Sequence, residues 1–256
     1  MANHRGDFIW YELLTSNTRA AADFYGAVIG WRSHTPDGMR GYTLFGAGET
    51  DVAGLLAIPT EAASAGQRPI WLGYIAVDDV DEAVSSIVAA GGTRHVPPTD
   101  IPGVGRFSMV ADPQGVMFYV MRGAVDGTST SFHAEKTGHC QWNELATNDP
   151  VAALAFYSGR FGWTKGDAMP MGDMGDYQFF KQNGQMVGAV MARKPGAPPM
   201  WTFYFGVDDI DVATKTASSK GAKIHYGPAE IPGGSFIIIA DDPQGATFGL
   251  VGPRKR

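Results

Sequence analysis

The alternation of apolar and polar positions lays out the elements of this chain. Phe8 to Leu14 alternates with a period of two, placing Trp10, Glu12 and Leu14 on one strand face and Ile9, Tyr11 and Leu13 on the other. Ser16-Asn17-Thr18 reads as a helix start, because a side-chain oxygen there can accept from the orphan N–H groups of a first turn. Ala20, Ala21, Phe24, Tyr25 and Val28 then recur at helical spacing, and Gly30 is placed to end the helix in a left-handed conformation. Shorter strand-like runs follow, separated by Gly and Pro. The plan of strand, helix and three strands recurs four times, predicting modules over 7–60, 70–122, 139–194 and 200–252. In the second module Asp78-Asp79 supplies the cap before a helix over Val80 to Ala90.

The pattern also repeats residue for residue. Trp10, Glu12, Leu13, Thr15, Ala20, Ala21, Phe24, Tyr25, Gly30 and Trp31 recur 132 positions later. Trp71, Tyr74, Val77, Asp78, Asp79 and Asp81, and then Ile101-Pro102-Gly103 and Asp112-Pro113-Gln114-Gly115, recur at an offset of 130. A tandem duplication of this kind predicts two domains, 1–122 and 139–256, joined by the polar, small-residue segment 123–138. Glu61 to Pro69 and Arg193 to Pro199, rich in Ala, Gly and Pro, read as linkers within the halves.

Composition narrows the function classes. A formal net charge of −6 argues against a dedicated nucleic-acid or anionic-membrane surface. Arg254-Lys255-Arg256 is the one basic cluster, read as a solvated tail. A single cysteine, Cys140, excludes an intramolecular disulfide framework. Without a signal-like start or an 18-residue apolar run, the expectation is a cytoplasmic protein with a small-molecule ligand, as a monomer or homodimer.

The Phe24-Tyr25 and Gly30-Trp31 pairs, the VDDVD helix start and the ADPQG turn before the strand over Val116 to Met121, each with its copy, resemble the vicinal oxygen chelate superfamily. That is the fold of glyoxalase I, extradiol dioxygenases and bleomycin-resistance proteins. The resemblance implies an α+β fold in which four βαβββ modules form two tandem glyoxalase-like curved half-barrels. It also implies one divalent metal per cup, held by His and Glu from the first and last strands of each module.

This sequence departs from that ligand pattern. The first-strand histidine position is Trp10, and Trp142 in the copy; the second-module position is Leu72, and Thr202 in the copy. The glutamate beyond DPxG falls at Tyr119 and Gly249. The remaining ligand strands, Val52 to Ile58 and Met186 to Ala192, hold no His, Asp, Glu or Cys. The donors left near these positions are Glu12, Glu144, His139 and Cys140, fewer per cup than the three protein ligands such sites need. The expectation is therefore no metal and no other cofactor, with a divalent metal as the alternative.

Strand parity turns Trp10, Glu12, Tyr74 and Tyr119 toward the first cup and Trp142, Glu144 and Tyr204 toward the second. An aromatic cup with one carboxylate suits an apolar or planar compound carrying a polar handle; alternatively the rings simply fill the cup. Glu12 and Glu144 are the candidate acid/base residues, with a structural hydrogen bond as the competing reading. Three functions follow: a small-molecule binder, a glyoxalase-type lyase, isomerase or dioxygenase, and a regulatory or protein-interaction scaffold. The scaffold reading looks to solvent-exposed aromatics in 32–41 or 165–176; in the latter, Met169, Met171 and Met174 suggest a mobile flap over the second cup or an interaction surface. His95 and His225 read as solvent-facing edge residues.

Overall fold

The computed structural model describes residues 3–39, 41–125 and 127–255. The first module runs β1 (Phe8–Thr15), α1 (Thr18–Ile29), β2 (Arg32–His34), β3 (Tyr42–Ala47) and β4 (Thr50–Ala57), and a short α2 (Thr60–Ser64) follows. The second holds β5 (Ile70–Ala76), α3 (Val80–Ala89), β6 (Thr93–Arg94), β7 (Thr99–Ile101), β8 (Gly105–Ala111) and β9 (Met117–Gly123). The third holds β10 (Cys140–Thr147), α4 (Pro150–Phe161), β11 (Thr164–Pro170), β12 (Asp176–Gln182) and β13 (Gln185–Ala192). The fourth holds β14 (Met200–Gly206), α5 (Ile210–Ser219), β15 (Lys223–Glu230), β16 (Phe236–Asp241) and β17 (Thr247–Gly252). The fold class is α+β, with the βαβββ plan in each module.

The helix signals act as their chemistry requires. Asn17 accepts from Ala20 N to start α1, and Gly30, at φ 85°, ends it. Asp79, Asp149 and Asp209 cap α3, α4 and α5 in the same way. The stretch after Ile58 is partly helical rather than plain linker, because Thr60–Ser64 is rich in Ala and follows Pro59. The segment read as a flap has regular secondary structure: β11 pairs antiparallel with β12, and a 3-10 turn covers Gly172–Met174. Arg254 is no free tail residue, since it clasps the Asp211 carboxylate with two nitrogens at 2.6 and 2.8 Å and lies over the Phe236 ring. Arg256 of the same basic cluster, Arg40 of the 32–41 loop and Asp126 of the linker lie outside the described residues.

Packing divides the described chain into two compact units, each taking one module from either half of the duplication. The middle unit holds the segment ending at Ile9 with Leu72–Ser129 and Asn143–Trp201, essentially modules two and three. The end unit holds Trp10–Trp71, Thr130–Trp142 and the chain from Thr202 onward, essentially modules one and four. In the end unit the strands run β2-β3-β4-β1 and β14-β17-β16-β15; in the middle unit they run β5-β9-β8-β6, with β7 also on β8, and β10-β13-β12-β11. Every module thus pairs its first strand in parallel with its last.

Each unit is locked by the same buried network. In the middle unit the Tyr157 hydroxyl donates to Asp112 Oδ2 at 3.2 Å and accepts from the Trp201 indole at 3.3 Å. In the end unit the Tyr25 hydroxyl donates to Asp242 Oδ2 at 3.0 Å and accepts from the Trp71 indole at 2.8 Å. The other oxygen of each aspartate takes the backbone N–H groups of its own DPQG turn. So the tyrosine of the Phe-Tyr pair in one half bonds the DPQG aspartate of the other half. Burial raises both aspartate carboxyls and both phenols above their ordinary pKa values. Around these bonds Trp163 stacks on Tyr157 and Phe180, and Trp31 stacks on Phe45.

Candidate functional site

In the end unit three side chains meet around one hydroxyl. Strand alternation puts Trp10 and Glu12 on the same face of β1, and Tyr42 opens β3. The Trp10 indole N–H donates to the Tyr42 hydroxyl at 2.9 Å. That hydroxyl in turn donates to the Glu12 carboxylate, itself 3 % exposed. Glu12 sits opposite Gly54 in the β1–β4 ladder, and a Cβ at Gly54 would overlap the Tyr42 hydroxyl, so this glycine makes room for the cluster. Burial first, and the Glu12 charge second, push the Tyr42 phenol well above its ordinary pKa. It therefore stays protonated at neutral pH, a donor that fixes one lobe of the carboxylate.

The middle unit repeats the carboxylate–phenol pair. Glu144, buried on β10, accepts from the Tyr177 hydroxyl at 2.7 Å. The same unit brings Tyr74 and Tyr119 together, opposite each other in the β5–β9 ladder, with rings stacked at 4.2 Å and 14°. The matching ladder position in the end unit pairs Tyr204 with Gly249, where the Tyr204 ring covers the space a Cβ would need. Both positions that the family resemblance assigns to a glutamate ligand are thus occupied by tyrosine rings. Trp142 is half-buried on β10, in the end unit by packing.

The donors do not fit the metal site that the fold implies. Among the described residues no three His, Cys, Asp or Glu side chains converge as a metal site would require. Trp10 uses its only polar atom on Tyr42, and an indole N–H cannot coordinate a metal. His139 is buried, its Nδ1 paired with the Thr130 carbonyl at 2.5 Å, and burial lowers its pKa. Cys140 donates to the Trp142 carbonyl at 3.3 Å, and burial pushes its thiol up to about 12, the state of an inert buried thiol. His95 is exposed, and the exposed His225 lies 2.7 Å from Asp241.

Tyr42 and Tyr177 were not among the residues the sequence pointed to. Their signal was present: Tyr42 opens β3 and Tyr177 is the second residue of β12, the third strand of each module. What hid them is that a single Tyr in a strand is indistinguishable from a packing residue until its hydroxyl is seen to find a carboxylate.

Comparison with known proteins bears on this geometry. The Glyoxalase/Bleomycin resistance protein/Dioxygenase superfamily matches at residues 8–120 and again at 136–250. A Mycobacterium tuberculosis protein named "Putative glyoxylase CFP32" is 35 % identical over 95 % of this chain and 94 % of its own length. The anthracycline biosynthesis protein DnrV of Streptomyces peucetius is 30 % identical over 94 % of this chain and 91 % of its own. Among solved structures, the Mn(II)-bound glyoxalase of Novosphingobium aromaticivorans superposes with a TM-score of 0.66 at 18 % identity, covering 98 % of this chain and 83 % of that one.

Proposed function

The chain belongs to the Glyoxalase/Bleomycin resistance protein/Dioxygenase superfamily, and within it we propose a small-molecule-binding protein that takes an apolar or aromatic compound without the metal of the family's enzymes. The observation that carries this reading is the replacement chemistry at the former ligand positions. Trp10, Tyr119 stacked on Tyr74, and Tyr204 over Gly249 present rings where metal donors belong in the fold. Rings of this kind gain about 0.5–1.5 kcal/mol per aromatic contact beyond the area they bury. Glu12 and Glu144, each steadied by a phenol, supply an acceptor for a hydroxyl or amine on the ligand. A planar compound with a phenolic or amino donor matches both features, and the similarity to a protein of anthracycline biosynthesis makes an anthracycline the first probe.

Calorimetric titration with an anthracycline and with a simple naphthol tests the proposal. Binding should weaken about tenfold in Glu12→Gln or Glu144→Gln, the loss of one charge-assisted hydrogen bond. Saturable binding that neither variant changes, nor Trp10→Ala, would place the ligand elsewhere. Metal content of protein purified without chelator belongs beside it. One tightly held ion per chain, with stability lost on its removal, would restore the family's metal chemistry.

A second reading is favoured by one observation, the carboxylate–phenol hydrogen bond present in both copies. In an acid/base enzyme Glu12 or Glu144 would accept a substrate proton, with Tyr42 or Tyr177 orienting the carboxylate. Tyr42→Phe and Tyr177→Phe separate the two: a binder loses modest affinity, whereas an enzyme loses turnover with its pH profile displaced.

A further inference from the structure

The first and third modules begin alike and part at one point. β2 and β11 each lie antiparallel to the third strand of their module and start in the same register. Arg32 stands opposite Gly46 and Ser33 opposite Phe45 in one; Thr164 stands opposite Lys181 and Lys165 opposite Phe180 in the other. β2 ends one pair later, with His34 opposite Leu44, and so stops short of Tyr42. β11 continues. Between Lys165 and Ala168 it bulges, Gly166 and Asp167 standing where β12 has only Phe179, and it then pairs as far as Pro170 opposite Asp176.

A buried side chain holds the bulge. Gln178 of β12 donates through Nε2 to the carbonyls of Gly166 and Asp167, at 2.8 and 3.0 Å. The matching residue of β3 is Thr43, which has no amide to do the same. A one-residue shift of register exchanges the faces of a strand. Without the bulge Ala168 would stand opposite Tyr177; with it Met169 does. Directly opposed residues share a sheet face, so Met169 lies on the face from which the Tyr177 hydroxyl reaches Glu144. Phe179 shares that face, its ring 5.5 Å from the Tyr177 ring at 80°, and its match in β3 is Leu44. Met169, Tyr177 and Phe179 are all partly exposed. A thioether and a second ring beside the carboxylate–phenol pair thus belong to the middle unit, whereas the end unit has Trp10 bonded to its phenol.

We propose that Met169 is a specificity-determining residue of the Glu144 site, selecting planar compounds of two or more fused rings, and that Gln178 is the positioning residue that aims it. This inference rests on the binding reading above. A single ring bonded to Glu144 through its hydroxyl lies against Tyr177 and Phe179. A fused second ring extends toward the next strand, about 4.8 Å outward, where Met169 offers a polarizable sulfur on an adaptable chain. The Glu12 site has no such selection, because β2 ends before it reaches Tyr42.

The test is an NMR titration of the full chain with phenol and with 2-naphthol, read at the amides of Glu144 and Tyr177. The naphthol should bind more tightly than phenol. Met169→Ala should weaken the naphthol about fivefold, the loss of one sulfur–aromatic contact, and leave phenol within about twofold of wild type. Gln178→Ala should reproduce that change and add little on top of Met169→Ala, since the two act as one unit. Equal weakening of both probes in Gln178→Ala would reduce that residue to a structural role and overturn its part. Binding that needs Glu144, yet keeps its naphthol preference in Met169→Ala, would overturn this inference alone. Binding indifferent to Glu144→Gln, or no saturable shift at either amide, would overturn the reading beneath it as well.

Discussion

The two packing units share one frame and differ in what has been added to it. Both hold a Tyr–Asp hydrogen bond that crosses the duplication, a tryptophan donor to that tyrosine and a second tryptophan tied to a glycine carbonyl. The differences lie outside that frame. In the middle unit Gln114 exchanges two hydrogen bonds with the backbone of Asp149, the cap of α4. In the end unit the matching Gln244 has a buried side-chain oxygen without a partner. The end unit ties Trp10 into its carboxylate–phenol pair, while the middle unit has the stacked Tyr74 and Tyr119. The mutually bonded frame has stayed alike in both copies; groups outside it have diverged, buried ones such as Tyr119 included.

The deepest way to break this comparison is to remove its tryptophans. Trp31→Ala and Trp163→Ala should each cost about 3–5 kcal/mol by denaturant unfolding. A large inequality between them would show that the two frames are not energetically equivalent. Next come Tyr25→Phe and Tyr157→Phe, each of which strips a hydroxyl from a buried carboxylate and should cost about 1–3 kcal/mol. Smaller still, Gln114→Ala should cost about 1–2 kcal/mol through its two lost bonds, whereas Gln244→Ala should fall within about 0.5 kcal/mol of wild type. Equal effects in that pair would remove the asymmetry drawn here.

The finest test is pH. Burial raises the carboxyls of Asp112 and Asp242, so the folded protein binds these protons more readily than the unfolded chain. Their contribution is fully present below the ordinary carboxylate value near ~3.9 and is lost as pH rises through the raised folded value. Asp81 and Asp211, lowered by hydrogen bonds from Arg106 and Arg254, act oppositely: their contribution is present above the ordinary value and lost as pH falls through the lowered one. Asp112→Asn and Asp242→Asn should flatten the first slope by similar amounts and leave the second untouched, in urea titrations run across acidic pH.

Much of the fold was legible because local chemistry and tertiary structure agree. Asn17, Gly30 and Asp79 cap helices for reasons contained in a few neighbouring residues, and the alternation in β1 survives because its faces differ in burial. The duplication was legible for the same reason: each half must satisfy the same backbone. The pairing of modules across halves was not, because the Phe-Tyr and DPQG motifs read as separate local features and only coordinates show them as two ends of one bond. In the site, Glu12 and Glu144 stood out as carboxylates on apolar strands, while Tyr42 and Tyr177 did not.

The crossed tyrosine–aspartate bonds also set a timetable for a chain leaving the ribosome. Tyr157 and Asp112 are 45 residues apart, so the middle modules can close as soon as the third has emerged. Tyr25 and Asp242 are 217 residues apart. The first module to be synthesised is therefore the last to be partnered, and it waits with one apolar face uncovered until the fourth arrives. Truncation within β16 or β17 should consequently expose the beginning of the chain to proteases and chaperones, not merely its end.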